Sequence, residues 1–191
     1  MKHKFYLLLV LLINGLFIGC SSDDDGVTPP DDKDGVLVKV MSYYIYSGQK
    51  VYFGKKGMEA IAQVIKKINP DLAGLQEFET KTNKVENADI IALMKEVTGM
   101  QYAFFVKTRD VDGGEYGNLI LSKYPISDEV NYDLPRIETV EDVYPRSMGV
   151  MKTEKEGKNF YFGVTHLSHV GNETNRINQT STILEKTKGM D

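Results

Sequence analysis

Three short segments place groups capable of chemistry at the ends or starts of strand-like runs. Leu72-Ala73-Gly74-Leu75 delivers Gln76 and Glu77, the β-rich run Asn159 to Thr165 delivers His166, and Arg146 opens a strand after Tyr144-Pro145. Ligands of open α/β sheets gather outside the carboxyl ends of strands, so a group placed there is a first candidate. A carboxylate such as Glu77 suits a hard divalent cation like Mg²⁺, which takes one or two carboxylates together with waters and substrate phosphate. Capping a helix or pairing with an arginine is the structural role open to the same residue. His166 can act as general acid or stabilise charge beside a phosphoryl group, or it can be a satisfied structural histidine. Arg146 can clamp a phosphate with two N–H groups, or pair at the surface within the acidic stretch of Glu138, Glu141 and Asp142.

Neighbouring residues carry weaker signals. Glu79 reads as a solvated loop carboxylate, and His169 as the exposed partner of His166. Two histidines three apart hint at zinc, but no cysteine or compact acidic partner accompanies them. Asp110-Val111-Asp112-Gly113-Gly114 is more simply a turn than a calcium loop, since it lacks the spacing of a full one.

These groups need elements to hold them. Val36 to Ile45 reads as a buried strand, and Met58, Ile61, Ile65 and Ile68 mark a helix that stops at Asn69-Pro70-Asp71. Ala88, Ile91, Met94 and Val97 mark a second helix, followed by strands over Tyr102 to Val106 and Leu119 to Leu121 with a stop at Lys123-Tyr124-Pro125. Arg146 to Lys152 and Asn159 to Thr165 read as a hairpin turning at Glu156-Gly157-Lys158. The last element, Glu173 to Lys186, reads as a helix with Ile177 and Leu184 on its apolar face. Strand-helix-strand units followed by meandering strands imply an α/β fold with a mixed sheet.

The first nineteen residues read as a secretion signal, with Lys2 and Lys4 before an apolar run from Phe5 to Ile18. Phe17-Ile18-Gly19-Cys20 resembles a lipobox, making Cys20 the expected lipidation site and the outer membrane, its surface included, the expected address; an ordinary signal peptide or uncleaved anchor is the alternative. With Cys20 acylated, no disulfide can form within the chain. Residues 20–34 form an acidic tether, since Ser21 to Asp34 hold six aspartates and one lysine with little to bury. The formal charge of −4 becomes −6 once Lys2 and Lys4 leave, and the tether carries −5 of it, so residues 35–191 sit near −1. A nearly neutral domain lacks the basic footprint of a duplex nucleic-acid binder.

Taken in order, Val40-Met41-Ser42-Tyr43, Leu75-Gln76-Glu77, Gly117-Asn118-Leu119-Ile120-Leu121-Ser122-Lys123-Tyr124-Pro125-Ile126, Arg146 and Thr165-His166-Leu167 resemble the endonuclease/exonuclease/phosphatase superfamily. The resemblance covers about residues 36–188 and rests on the ordered set. It implies a four-layer α/β sandwich, with Glu77 binding Mg²⁺ or Mn²⁺, Arg146 contacting a phosphate-ester substrate and His166 beside the scissile phosphoryl group. Two departures stand out. Tyr44 occupies the position where the family usually has an asparagine, and Asp191 is reached before a Gly-Asp-Phe-Asn-type strand or a final Asp-His pair. The expectation is therefore a partial sandwich, missing its C-terminal half and inactive or nearly so alone. Two alternatives remain: completion by a separately encoded C-terminal half in trans, and a non-catalytic surface binding module. The substrate, whether lipid, nucleic-acid or sugar phosphate, stays open.

Overall fold

Apolar side chains sort into three buried clusters, and each cluster is the seam between two layers. The computed structural model describes residues 35–48, 54–137, 144–170 and 173–190. The signal segment, Cys20 and the tether lie outside the described residues, as do Glu138, Glu141 and Asp142. Strands β1 (Val40–Tyr44), β2 (Leu72–Thr80), β3 (Tyr102–Val111) and β4 (Gly114–Ser122) form one sheet in the order β1-β2-β4-β3. Only β1 and β2 run parallel. Strands β5 (Ile126–Leu134), β6 (Arg146–Lys155) and β7 (Lys158–Thr165) form a second, antiparallel sheet.

Helices α1 (Gly54–Ile68) and α2 (Ile90–Thr98) cover the first sheet, burying Met58, Ile61, Ile65, Ile90 and Met94 against Leu75, Leu119 and Leu121. Leu72, Val106 and Ile120 face Met151 and Val164 between the sheets. On the far side Leu134, Met148 and Val150 meet Ile183 of α3 (Glu173–Thr187). The result is helix, sheet, sheet, helix: the mixed α/β sandwich expected. Leu119-Ile120-Leu121 is apolar at every position because side chains alternate across a strand buried on both faces.

Several elements differ from the sequence reading. β1 is not a buried strand: it pairs only with β2, and Val40, Ser42 and Tyr44 remain exposed. β2 runs through Glu77 to Thr80 instead of ending before it. In α2 the inward pair is Ile90 and Met94, and Ala88 precedes the cap at Asp89. β5 is an added strand whose mostly exposed residues carry little apolar signal.

The largest difference is in α3, whose expected apolar face points outward, with Ile177 59% and Leu184 67% exposed. Asn175 and Gln179 are buried instead. The helix lies over loop segments whose backbone groups have no strand partners, so its amides supply them. Asn175 Oδ1 accepts from the Ile137 N–H at 2.8 Å; Gln179 accepts from the Ser168 N–H at 2.9 Å and donates to the Pro135 carbonyl at 3.1 Å. Buried backbone groups left unpaired would cost more than the lost apolar contact returns.

Candidate functional site

A pair of bulges builds the site. Across β2 and β4, Gln76 pairs with Asn118 and Phe78 with Gly117, leaving Glu77 as the extra residue. Across β3 and β4, Lys107 pairs with Gly117 and Arg109 with Tyr116, leaving Thr108 over. Both neighbours of β4 therefore bulge beside Gly117, where a Cβ would collide with the Val106 carbonyl oxygen. A bulge re-aims the side chains next to it. Glu77 pays for this with a left-handed backbone, φ 60°, a conformation that non-glycine residues adopt at a cost of about 1–3 kcal/mol. The turn after β1 holds it: the Ile45 N–H donates to the Gln76 carbonyl at 3.1 Å, and Ser47 Oγ donates to the Glu77 carbonyl at 3.2 Å.

Opposite Glu77, the start of β6 brings in Arg146, only 6% exposed. Its Nη1 donates to Nδ1 of His166 at 3.2 Å and its Nη2 to Nδ1 of His169 at 3.1 Å. A guanidinium only donates, so both Nδ1 atoms must be acceptors, and a neutral His166 carries its proton on Nε2. Burial, then the charges of Arg146 and His169, push the His166 pKa down to about 4. The 3.9 Å approach of Glu77 Oε1 to His166 Nδ1 is therefore not an ion pair at neutral pH. With both Nδ1 atoms turned to Arg146, the two histidines do not converge on a metal.

Tyr44 stacks at an angle on His166, with ring centroids 5.5 Å apart. Burial, then the nearby Glu77 carboxylate, push its pKa up to about 12, so the phenol stays protonated. No Lys or Arg among the described residues pairs with Glu77, so its partly buried charge has no cationic partner there. Such a carboxylate fits a divalent cation, although no group of three His, Cys, Asp or Glu side chains clusters for a metal among the described residues. Mg²⁺ needs fewer protein ligands than that, because it keeps several waters.

Glu77, Arg146 and His169 line a cleft of about 220 Å³ together with Arg109, Tyr116 and Tyr144. Arg109 lies 5.0 Å from the Tyr116 ring centre and 5.1 Å from that of Tyr144. Glu79, expected to be solvated, is 4% exposed and paired with Lys84 at 2.7 Å. It also accepts from Thr82. Continuing β2 past the bulge turns Glu79 inward. Arg109, Tyr116, Tyr144 and Ser47 were not singled out from sequence. The available signal was Gly117, an isolated glycine within a strand pattern, which marks a bulge or a close backbone approach.

Two packed sheets with a carboxylate and a buried arginine–histidine pair at one end define a phosphoesterase-type scaffold. The pattern of the Endonuclease/Exonuclease/phosphatase family matches residues 51–162, and the chain belongs to that family. No curated protein matches the sequence. Among solved structures, the chain is similar to an endonuclease/exonuclease/phosphatase from Beutenbergia cavernae (20% identity, TM-score 0.63), covering 78% of this chain and 43% of that one. A family protein from Leptotrichia buccalis is 15% identical with TM-score 0.63, over 81% of this chain and 63% of that one. TDP2 of D. rerio, solved with a single strand DNA product, is 16% identical with TM-score 0.56, over 81% and 56%. The chain thus spans 43% and 63% of the length of the first two structures it resembles.

Proposed function

We propose that a phosphate ester binds against Arg146 of the cleft and the neighbouring His166, with Mg²⁺ or Mn²⁺ at Glu77, as the cation- and phosphate-binding part of a phosphoesterase site. The observation that carries this reading is Arg146: a guanidinium more than nine-tenths buried whose described polar partners are two imidazole nitrogens and no carboxylate. Each terminal nitrogen keeps one further N–H for a phosphate oxygen. His166 Nε2–H is a second, neutral donor to the same group. A bound cation would supply positive charge to the phosphoryl oxygens as they gain negative charge. The bulge and the turn after β1 fix the Glu77 backbone.

Hydrolysis by these residues alone is proposed to be weak. Of the carboxylates lining the cleft among the described residues, Glu77 is assigned to the cation and Glu79 is paired with Lys84, so neither is free to activate water; lack of a general base lowers rates on the order of 100- to 10,000-fold. The purified chain should therefore bind Mn²⁺, followed by its electron paramagnetic resonance signal, with affinity falling at least about tenfold in Glu77→Gln. Turnover of bis(p-nitrophenyl) phosphate with Mg²⁺ should stay near background. Unchanged Mn²⁺ binding in the variant would remove the metal assignment, and rapid turnover would remove the weak-activity assignment.

One observation favours the non-catalytic alternative. Tyr44, close enough to the Glu77 carboxylate for that charge to raise its pKa, stands where the family usually has an asparagine. If the carboxylate is closed to cations for that reason, Tyr44→Asn should create Mn²⁺ binding that the natural chain lacks. The proposed address is an outer membrane, through a lipid on Cys20. Fatty-acid labelling that persists in Cys20→Ser would dismiss it.

A further inference from the structure

We infer that Arg109 is a second anion-binding group of this cleft, which selects ligands carrying two neighbouring phosphate groups over those carrying one. The inference rests on the phosphate-binding reading of Arg146 and adds a residue that reading does not use.

Among the described residues, Arg109 is held by aromatic faces instead of by charge. Its guanidinium lies against Tyr116 and Tyr144, and no hydrogen bond or ion pair joins it to another described residue. Its Nε is buried without a partner. Stacking between rings satisfies none of the N–H groups on a guanidinium's edge, and of these the buried Nε has no partner among the described residues. An arginine needed only for packing would place those donors on a carboxylate or carbonyl, because unpaired buried donors are costly. Here they border a cleft shared with Arg146.

The charge balance points the same way. Among the described residues lining the cleft, Glu79 and Lys84 cancel as a pair, leaving Arg109 and Arg146 against Glu77, one net positive charge. A cation on Glu77 raises that further. Two guanidiniums beside one cleft repel each other unless an anion lies between them. A single phosphate on Arg146 leaves the Arg109 charge unmatched in the same cleft, and a further phosphate on the same ligand would match it.

The placement has a structural cause. Thr108 is the extra residue of the β3 bulge and bonds Ser147 through its hydroxyl at 2.5 Å. The next residue, Arg109, is thereby registered on Tyr116 at the cleft.

The test is calorimetric titration of the purified chain with inorganic phosphate and with pyrophosphate in metal-free buffer, since pyrophosphate itself sequesters Mg²⁺. Pyrophosphate is expected to bind about tenfold more tightly, the worth of one additional charge-assisted pair. Arg109→Gln should erase that preference while changing phosphate affinity by less than about twofold. Arg146→Gln should weaken both anions. Arg109→Lys guards against a folding defect: it keeps the charge but not the planar stack, and should retain only part of the preference. A pyrophosphate preference unchanged in Arg109→Gln and Arg109→Lys would overturn the inference and leave the Arg146 reading standing. Failure of the natural chain to bind either anion would overturn both.

Discussion

Nη1 of Arg146 donates to Nδ1 of His166 at 3.2 Å, and this contact sets the state of the imidazole. The ring is pinned as the Nε2–H tautomer beside a fixed positive charge. Burial and Arg146 hold its pKa at about 4, whereas an unfolded histidine titrates near 6.5. Between those values the unfolded chain holds more protons, so stability falls as pH drops from about 6.5 to about 4. The full loss is about 3 kcal/mol. Histidine ring signals followed by NMR should show His166 neutral at pH 6, with its midpoint rising in Arg146→Gln. A midpoint unmoved by that change would mean Arg146 does not govern the ring.

Gly117 joins the two bulges, and Gly117→Ala puts a methyl group where the Val106 carbonyl sits. Crowding of this kind costs about 1–3 kcal/mol. Urea denaturation should show a lower midpoint with unchanged slope, and Mn²⁺ affinity should fall as Glu77 shifts. A variant as stable as the natural chain would show that the β2 and β3 bulges do not depend on this close approach.

Asp71 ties the ends of both sheets together. It accepts from the Lys39 N–H at 2.9 Å, Tyr124 hydroxyl at 3.1 Å and Lys155 Nζ at 2.9 Å. Burial alone would raise its pKa, but these bonds outweigh it and bring the value to about 2. The stabilisation is therefore complete above about pH 4, the unfolded value, and is lost as pH falls through 2; it amounts to ~2 kcal/mol. Asp71→Asn should lower the urea midpoint at pH 7, with the difference shrinking near pH 2. An equal difference at both pH values would count against the ionic origin.

Gln179 and Leu184 test what docks α3. Replacing Gln179 with Leu leaves the buried Ser168 N–H without its partner, at about 1–3 kcal/mol, and also removes the bond to the more exposed Pro135 carbonyl. Leu184→Ser, on the exposed face, should change stability by no more than about 0.5 kcal/mol. Thermal melts that reverse this order would show that the helix packs through its apolar residues after all.

The sequence by itself determined the strands and helices whose apolar periodicity reports burial, and the order of family motifs around Glu77, Arg146 and His166. Leu119-Ile120-Leu121 and Met58-Ile61-Ile65 were legible because alternation and helical spacing are local properties of the chain. Only the tertiary structure decided where the chemistry points. The bulges at Glu77 and Thr108 exist because two strands yield around one glycine from a third, a relation no local pattern records. Arg146 meets His166 and His169, Glu79 turns inward to Lys84, and Arg109 enters the cleft, because strands distant in sequence converge there. In α3, burial followed the backbone groups left unpaired in neighbouring loops, so Asn175 and Gln179 faced inward where hydropathy pointed to Ile177 and Leu184. Hydrophobic pattern is carried by each segment alone, whereas hydrogen-bond need and charge pairing belong to segments only once they meet.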